Sequence, residues 1–199
     1  MTGLRERWRL KAMRAIQERA LDLFDEKGFG AVTIEEIAAA AEVSPSSVYR
    51  IFGTKEGIVV ADVEFDSMSP EALEGIMDPA DPIGSLLEAV RAYEAPSEGE
   101  GAKAGKGPWR RVRYFFAEPS VRMAVCATLD RASGRIAPLI AAAGRLSDPQ
   151  ARVATNALTF GYFAALEQWY LDGGERPIAD YVEEGMRPLR GIWDPPEPA

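Results

Sequence analysis

The spacing of apolar residues constrains the fold of this chain more than any other feature of its sequence. Trp8, Ala12, Ile16 and Ala20 recur four residues apart, and later segments repeat intervals of three or four, which is typical of one apolar face of an α-helix. No segment sustains the period-two alternation, enriched in β-branched residues, that a half-buried strand shows. The sequence therefore predicts an all-α fold.

Capping residues divide this pattern into separate helices. Gly28 follows the first apolar face and predicts a C-terminal cap. Thr33 and Glu36 have the spacing of a capping box, and Ser44 before Pro45 marks the start of another short helix. After a further start at Thr54, helices are predicted near residues 54–68, 82–94, 108–117, 120–145, 149–172 and 178–191.

The composition excludes several kinds of chemistry. The 199 residues include no histidine and a single cysteine, Cys126. A disulfide within the chain, a Cys/His zinc site and a Ser-His or Cys-His nucleophile are therefore excluded, and we expect no metal, no cofactor and no enzyme activity. We also find no signal peptide and no apolar run near the roughly 18–20 residues that a membrane helix needs, which favours a cytoplasmic protein that does not contact a membrane.

The negative charge is confined to one part of the chain. The net charge is −8, yet residues 1–60 hold nine basic and nine acidic side chains, and the first 19 hold six basic and two acidic ones. The whole acidic excess therefore lies after residue 60. Such an asymmetry indicates two functions in one chain, with a near-neutral head and an acidic body.

The two short helices predicted at residues 33–41 and 45–52 are separated by a tight turn, as in a helix-turn-helix. The second helix places Ser46, Ser47, Tyr49 and Arg50 outward, where they are suited to base edges and phosphates in a DNA major groove. A two-helix hairpin inside an ordinary bundle has the same pattern. From the pattern alone, both interpretations stay open.

Residues 33–58 (TIEEIAAAAEVSPSSVYRIFGTKEGI) resemble the DNA-binding signature of the tetracycline-repressor (TetR) family. The matching positions are Thr33, Ile37, Ala38, Ala41, Val43, Ser44, Tyr49, Phe52 and Lys55. The resemblance implies a helix-turn-helix domain over residues 1–53 and a helical ligand-binding and dimerisation domain over residues 54–193. Residues 194–199, with three prolines, are expected to be disordered.

Glu42 departs from the family pattern, which usually has glycine in the turn. If this position requires a positive φ angle, glutamate costs on the order of 1 kcal/mol there. The turn geometry and base preference are then expected to change, while the fold persists.

By this resemblance, the protein is a transcriptional regulator, usually a repressor, that binds a double-stranded DNA operator as a homodimer and releases it when a small molecule binds. Thr33, Tyr49 and Lys55 match phosphate-contacting positions. The arginines near the N-terminus are also expected to contact the DNA, as a basic arm that follows its groove or backbone. Arg50 is expected to contact DNA, and the alternative is that it forms only a surface ion pair. The predicted DNA-binding residues are Arg5, Arg7, Arg9, Thr33, Ser44, Pro45, Ser46, Ser47, Tyr49, Arg50 and Lys55.

The second domain is expected to hold an apolar or aromatic effector among its central helices, because pockets between helices are lined by such side chains. Simple core packing is the alternative for each residue, and Cys126 is expected to act as a small hydrophobe and not as a redox sensor. The predicted lining residues are Phe65, Met68, Trp109, Phe116, Met123, Cys126, Phe160 and Phe163. The helix at 54–68 is expected to transmit effector binding to the head.

The last two long helices carry small residues that allow close helix packing, and the resemblance implies that they form a four-helix dimer interface. Intrachain packing is the alternative for these residues. The predicted interface comprises Ala154, Ala157, Gly161, Ala164, Ala165 and Gln168.

Two other functions remain as alternatives to DNA-binding regulation. The protein could be a helical enzyme with paired carboxylates, or an interaction protein that does not bind DNA.

Overall fold

The computed structural model describes residues 4–62, 65–66, 68–94 and 109–193, and it leaves out the side chains of residues 4–7, 109 and 192–193. All regular structure in these ranges is helical, which confirms the predicted all-α class. The α-helices are α1 (Leu4–Lys27), α2 (Ile34–Ala40), α3 (Pro45–Phe52), α4 (Lys55–Val60), α5 (Pro70–Ile76), α6 (Pro82–Glu94), α7 (Trp109–Ala117), α8 (Pro119–Ala142), α9 (Asp148–Leu171), α10 (Ile178–Met186) and α11 (Arg190–Trp193).

The first three helices form a head around one apolar cluster. Ile16 and Phe24 of α1, Ile37 of α2 and Val48 of α3 are almost completely buried, as their helical spacing predicts. α1 ends where predicted, because Gly28 adopts a φ of 83° and its N–H bonds to the carbonyl of Phe24 at 2.9 Å. A 3₁₀ turn at Phe29–Ala31 then leads into α2.

The helix predicted over residues 54–68 is wrong in its length. α4 ends at Val60, and Ala61 has φ −59° and ψ 121°, outside the helical region. Asp62 explains the break, because its side chain accepts a hydrogen bond of 2.9 Å from the N–H of Phe65 and its carbonyl accepts 2.7 Å from Asp66. Aspartate thus starts a new helical turn, with residues 65 and 66 again helical.

The remaining helices form the body. α8 and α9 pack antiparallel, joined by Ser133–Asn156 and Arg122–Glu167 hydrogen bonds, and α10 packs against α9 and α6. The head meets this body through α4, which contacts α1, α3, α7 and α8. The predicted boundary between residues 53 and 54 therefore falls at the start of a helix that touches both parts.

Two further differences from the predicted helices have local causes. α5 was missed, although Ser69 caps it and Pro70 occupies its first position. The helix predicted at 178–191 is divided, since α10 ends at Met186 and a 3₁₀ turn containing Pro188 follows, where proline lacks an N–H for an α-helical bond. The predicted tail at 194–199 lies outside the described residues.

Within the described ranges, no helix is long and apolar enough to span a membrane. Over the same residues, no group of three or more Asp, Glu or Cys side chains is placed to bind a metal ion.

Candidate functional site

A capping box fixes the start of α2, as the sequence predicts. The Thr33 hydroxyl accepts a hydrogen bond of 3.2 Å from the N–H of Glu36, and the Glu36 carboxylate accepts one of 2.9 Å from the N–H of Thr33. Lys27 at the end of α1 donates to the same carboxylate at 2.9 Å. The bonds from Lys27 and Thr33 lower the pKa of Glu36 to about 2, because they stabilise its charged form.

The turn between α2 and α3 requires a left-handed residue, and Glu42 occupies that position with a φ of 57°. The N–H of the next residue, Val43, bonds back to the carbonyl of Ala38 at 2.9 Å, which closes the Schellman motif that ends α2. The strained glutamate that the sequence anticipated is therefore present. The turn nevertheless keeps the geometry that a glycine would adopt.

Three serine hydroxyls gather at the start of α3. The Ser44 hydroxyl oxygen accepts a hydrogen bond of 3.2 Å from the N–H of Ser47 and lies 3.0 Å and 2.9 Å from the hydroxyl oxygens of Ser46 and Ser47. Pro45 follows the cap on the exposed side. α3 thus begins at a fixed residue, which sets the rotation of the side chains that follow.

The outer face of α3 is free of the protein core. Val48 is fully buried and anchors the helix, whereas Ser46, Tyr49 and Arg50 are exposed on the opposite side. A short helix with hydroxyl, phenol and guanidinium groups on one open face matches the chemistry of base edges and phosphates in a DNA groove. α2 packs directly against α3.

Lys55 has structural partners in addition to its predicted phosphate role. Its ammonium donates to the carbonyls of Phe29 at 2.7 Å and Val32 at 3.0 Å, and it lies 4.5 Å from the centre of the Phe29 ring. Lysine has three N–H donors, so one remains for a phosphate oxygen. The side chain therefore fastens α4 to the loop before α2, next to the exposed Thr33.

The basic arm is only partly described. Arg9 is exposed on α1 and borders, together with Arg50, a groove of about 360 Å³ between α1 and α3. Ile16 and Ile51 contribute apolar surface to this groove. The side chains of Arg5 and Arg7 lie outside the described part of the chain, and their proposed DNA contacts stay predictions.

Two of the predicted pocket residues meet in the body. The rings of Phe116 and Phe163 stack with centres 5.0 Å apart, and the Tyr170 ring lies 5.3 Å from Phe116. Arg122 covers this aromatic group at 5.5 Å and 5.2 Å from the two phenylalanine rings while it pairs with Glu167. The hydrogen bonds from Arg122 lower the pKa of Glu167.

The other predicted lining residues with described side chains have different surroundings. Met123 is 75% exposed and Phe160 is 40% exposed, because both lie on outward faces of α8 and α9. Phe65 and Met68 lie where Arg135 binds, since its guanidinium donates to both of their carbonyls and lies 4.7 Å from the Phe65 ring centre. Cys126 is half-buried beside the core, and the Trp109 side chain is outside the described residues.

The small residues of α9 divide between two environments. Ala154 and Ala165 are buried within the chain, and a Cβ on Gly161 would lie 3.1 Å from the terminal methyl of Met186 in α10. These positions therefore serve intrachain packing, the alternative weighed from sequence. The members of the set that remain accessible to a second chain are Ala157 and Gly161, which are half-buried, and Ala164 and Gln168, which are exposed.

Sequence reasoning missed the contacts that join the head to the body. Arg110 donates to Asp22 and Asp25 of α1, and the Tyr114 hydroxyl donates to Asp25 at 2.7 Å. Arg113 donates to Asp25 as well. The available clue was the run of three arginines in WRRVRYFF at residues 109–116, which is unusual in an otherwise acidic domain.

Known proteins resemble this chain in sequence and in fold. The model of the family "Bacterial regulatory proteins, tetR family" matches residues 16–61. The regulator TcmR of Streptomyces glaucescens is 32% identical over 91 residues, which cover 45% of this chain and 40% of TcmR. The regulator HbdR of Aromatoleum sp. (strain CIB) is 28% identical over 177 residues, covering 84% of this chain and 74% of HbdR.

Two solved structures share the overall fold. NalD of Pseudomonas aeruginosa, the secondary repressor of the MexAB-OprM multidrug efflux pump, superimposes with a TM-score of 0.53 at 22% identity, over 90% of this chain and 95% of NalD. The fatty acid degradation regulator FadR of Bacillus halodurans gives 0.55 at 14% identity, over 89% of this chain and 93% of FadR. The aligned region spans less than half the length of TcmR. The fold match to NalD extends along most of this chain and of NalD. Residues 16–61 of this chain are thus similar to the tetR family of bacterial regulatory proteins, and they include the helix-turn-helix formed by α2 and α3.

Proposed function

We propose that this protein is a DNA-binding transcriptional regulator that acts as a repressor. It binds a pseudo-palindromic operator and is released when a small apolar or aromatic effector binds its C-terminal body. The observation that carries the proposal is the open face of α3, with Ser46, Tyr49 and Arg50 exposed above the buried Val48. The named relatives, which are transcriptional regulators, support the same conclusion.

The charge distribution supports an approach to DNA with the head first. Phosphates attract basic side chains and repel carboxylates, so a near-neutral head with Arg9 and Arg50 beside α3 faces the duplex while the acidic body faces away. Phosphate contacts fix the position of the head, and the side chains of α3 select the bases.

A homodimer is part of the proposal, because a helix-turn-helix dimer reads two half-sites about 34 Å apart. The supporting surface is the outer face of α9, where Val153, Phe160, Ala164, Gln168 and Leu171 are exposed at helical spacing. An exposed apolar stripe of this kind on a single chain is typical of an interaction surface. Its occupant in this proposal is the same face of a second copy.

The effector is proposed to bind in the body near the stacked Phe116 and Phe163. α7, which carries Phe116, also carries the arginines that hold α1, so a shift of α7 moves the head relative to the body. The spacing of the two recognition helices then changes and DNA affinity falls. Couplings of this kind are typically about 1–3 kcal/mol.

The decisive experiment is selection of binding sites from random duplex DNA, followed by fluorescence anisotropy at several salt concentrations. We expect saturable binding that weakens as salt rises, with a negative log–log slope. The variant Arg50→Ala is expected to weaken binding by about tenfold or more. The control Arg131→Ala, which removes an exposed arginine of α8, is expected to leave affinity unchanged.

Failure to recover any salt-dependent site from the selection would overturn the proposed function. A dimer that binds no DNA would instead favour the interaction protein considered from sequence. Equal affinities of the Arg50→Ala and Arg131→Ala variants would remove α3 from the interface even if some DNA binding persisted.

A further inference from the structure

Three arginines of α7 have different partners, and two of them, Arg111 and Arg113, have a buried Nε without a hydrogen-bond partner among the described residues. Arg110 and Arg113 both pair with Asp25 of α1. Arg111 points elsewhere, donates 3.0 Å to the carbonyl of Ala61, and forms no ion pair with any described carboxylate. Its Nε is buried and lacks a hydrogen-bond partner within the described chain.

The surroundings of Arg111 are largely aromatic. The centre of its guanidinium lies 5.6 Å from the Tyr93 ring centre and 5.9 Å from that of Phe115. Tyr162 of α9 faces the same charge, since burial raises the pKa of its phenol while Arg111 opposes that rise.

A buried donor without an acceptor is unfavourable, and the planar guanidinium places its Nε beside a terminal nitrogen. That edge matches one group especially well, because the two oxygens of a carboxylate accept two parallel hydrogen bonds from it. The nearby aromatic rings suit the apolar part of a small molecule that carries such a group.

We propose that Arg111 anchors an effector that carries a carboxylate on an aromatic or apolar body. The carboxylate accepts hydrogen bonds from the Nε edge of Arg111, and the body of the effector lies against Tyr93 and Phe115. This inference rests on the proposed function, and it makes the effector an anion although the body is acidic overall. The local environment of one arginine decides the ligand class here, not the net charge.

The same arginine contacts the joint between the body and the head. Its terminal nitrogen binds the carbonyl of Ala61, where α4 ends, and Gln17 of α1 donates 3.0 Å to that same carbonyl. A carboxylate bound to Arg111 is therefore connected to the end of α4 through a single hydrogen bond, the one from Arg111 to Ala61. Effector binding can thereby change the position of α4, the helix that follows the DNA-binding helices.

Isothermal titration calorimetry on the full chain tests this inference with 2-naphthoate and its neutral counterpart 2-naphthamide as probes. We expect saturable binding of the naphthoate and affinity for the amide that is weaker by roughly tenfold or more. Arg111→Met is expected to lose a similar factor for naphthoate only. Arg111→Lys is expected to recover part of it, because lysine keeps the charge but lacks the fork.

Arg131→Met, at an exposed position of α8, serves as the matched control and is expected to bind naphthoate as the wild type does. Circular dichroism melting verifies that each variant is folded, and Arg111→Lys keeps the test valid if Arg111→Met is not. Absence of naphthoate binding at millimolar concentration, equal binding of the amide, or unchanged binding by both Arg111 variants would overturn the inference.

DNA binding by the same preparation separates the two proposals. If the protein binds its selected DNA but not naphthoate, only the carboxylate inference fails. If naphthoate binds through Arg111 and no DNA site is recovered, the proposed regulatory function fails while the anion site stands.

Discussion

Arg110 of α7 donates a hydrogen bond of 2.7 Å to the carboxylate of Asp22 in α1, across 88 positions of the chain. Its Nε also donates to Asp25, and its side chain is only 9% exposed. Burial lowers the pKa of Arg110, but the bonds and charges of Asp25 and Asp22 outweigh that effect, and the pKa is raised overall. This pair network fixes the position of the head on the body.

Removing that arginine is expected to destabilise the protein. The substitution Arg110→Met removes one hydrogen-bonding partner from each of Asp22 and Asp25, and we expect a loss of about 1–3 kcal/mol in the free energy of unfolding. The two carboxylates are 36% and 32% exposed, so water compensates in part and the larger cost of a fully buried pair is not reached. Urea denaturation measures the difference. Arg131→Met is the control, with an expected change within about 0.5 kcal/mol, and equal stabilities of the two variants would contradict the prediction.

Replacement of the left-handed glutamate is expected to stabilise the head. Glu42→Gly removes the side-chain strain at a φ of 57° and should raise the free energy of unfolding by about 1 kcal/mol. The matched control is Glu35→Gly, at an exposed helical position of α2, where glycine should lower stability by roughly 1 kcal/mol. Chemical denaturation of both variants provides the measurement, and two changes of the same sign would count against the strain at Glu42.

The capping carboxylate of α2 is expected to give a pH-dependent contribution. The pKa of Glu36 falls from an ordinary 4.5 to about 2 in the folded protein, so its stabilising effect is complete above pH 4.5 and is lost as the pH falls toward 2. The substitution Glu36→Gln should therefore lower the melting temperature near neutral pH, and the difference from wild type should shrink between about pH 4.5 and 2. Melting curves across this range measure it. A difference that stays constant with pH would exclude a titration at Glu36.

A charge on the outer face of α9 is expected to separate the proposed dimer. In Phe160→Glu, a carboxylate replaces an exposed ring on the surface assigned to the partner, and an unpaired buried charge costs about 3–5 kcal/mol. The dimer dissociation constant should then rise by at least about a hundredfold, measured by analytical ultracentrifugation. Met123→Glu on α8 is the control, because Met123 is more exposed than Phe160 but lies off the proposed interface. Dissociation by the Met123 variant alone would move the interface to α8.

The local parts of the candidate site could be predicted from the sequence, whereas its long-range contacts could not. The caps at Thr33 and Ser44 involve residues three positions apart, so spacing alone predicts their hydrogen bonds. Lys55 was expected to contact a DNA phosphate. It also donates hydrogen bonds to the carbonyls of Phe29 and Val32, which lie more than 20 positions away in the sequence. Such partners depend on how the chain returns on itself.

The sequence by itself determined the all-α class and the ends of α1, α2 and α3, because hydrogen bonds between near neighbours and the spacing of apolar residues settle these features. The positive φ at Glu42 was only a conditional expectation, which the structure then showed. Only the tertiary structure decided which partners the three arginines of α7, Arg110, Arg111 and Arg113, contact. Each residue of a helix turns about 100° from the last, so Arg110 faces Asp22 and Asp25 of α1 while Arg111 faces the end of α4 and the aromatic rings of the body. Residues adjacent in sequence thus have different partners, because the helices that pack against α7 come from distant parts of the chain.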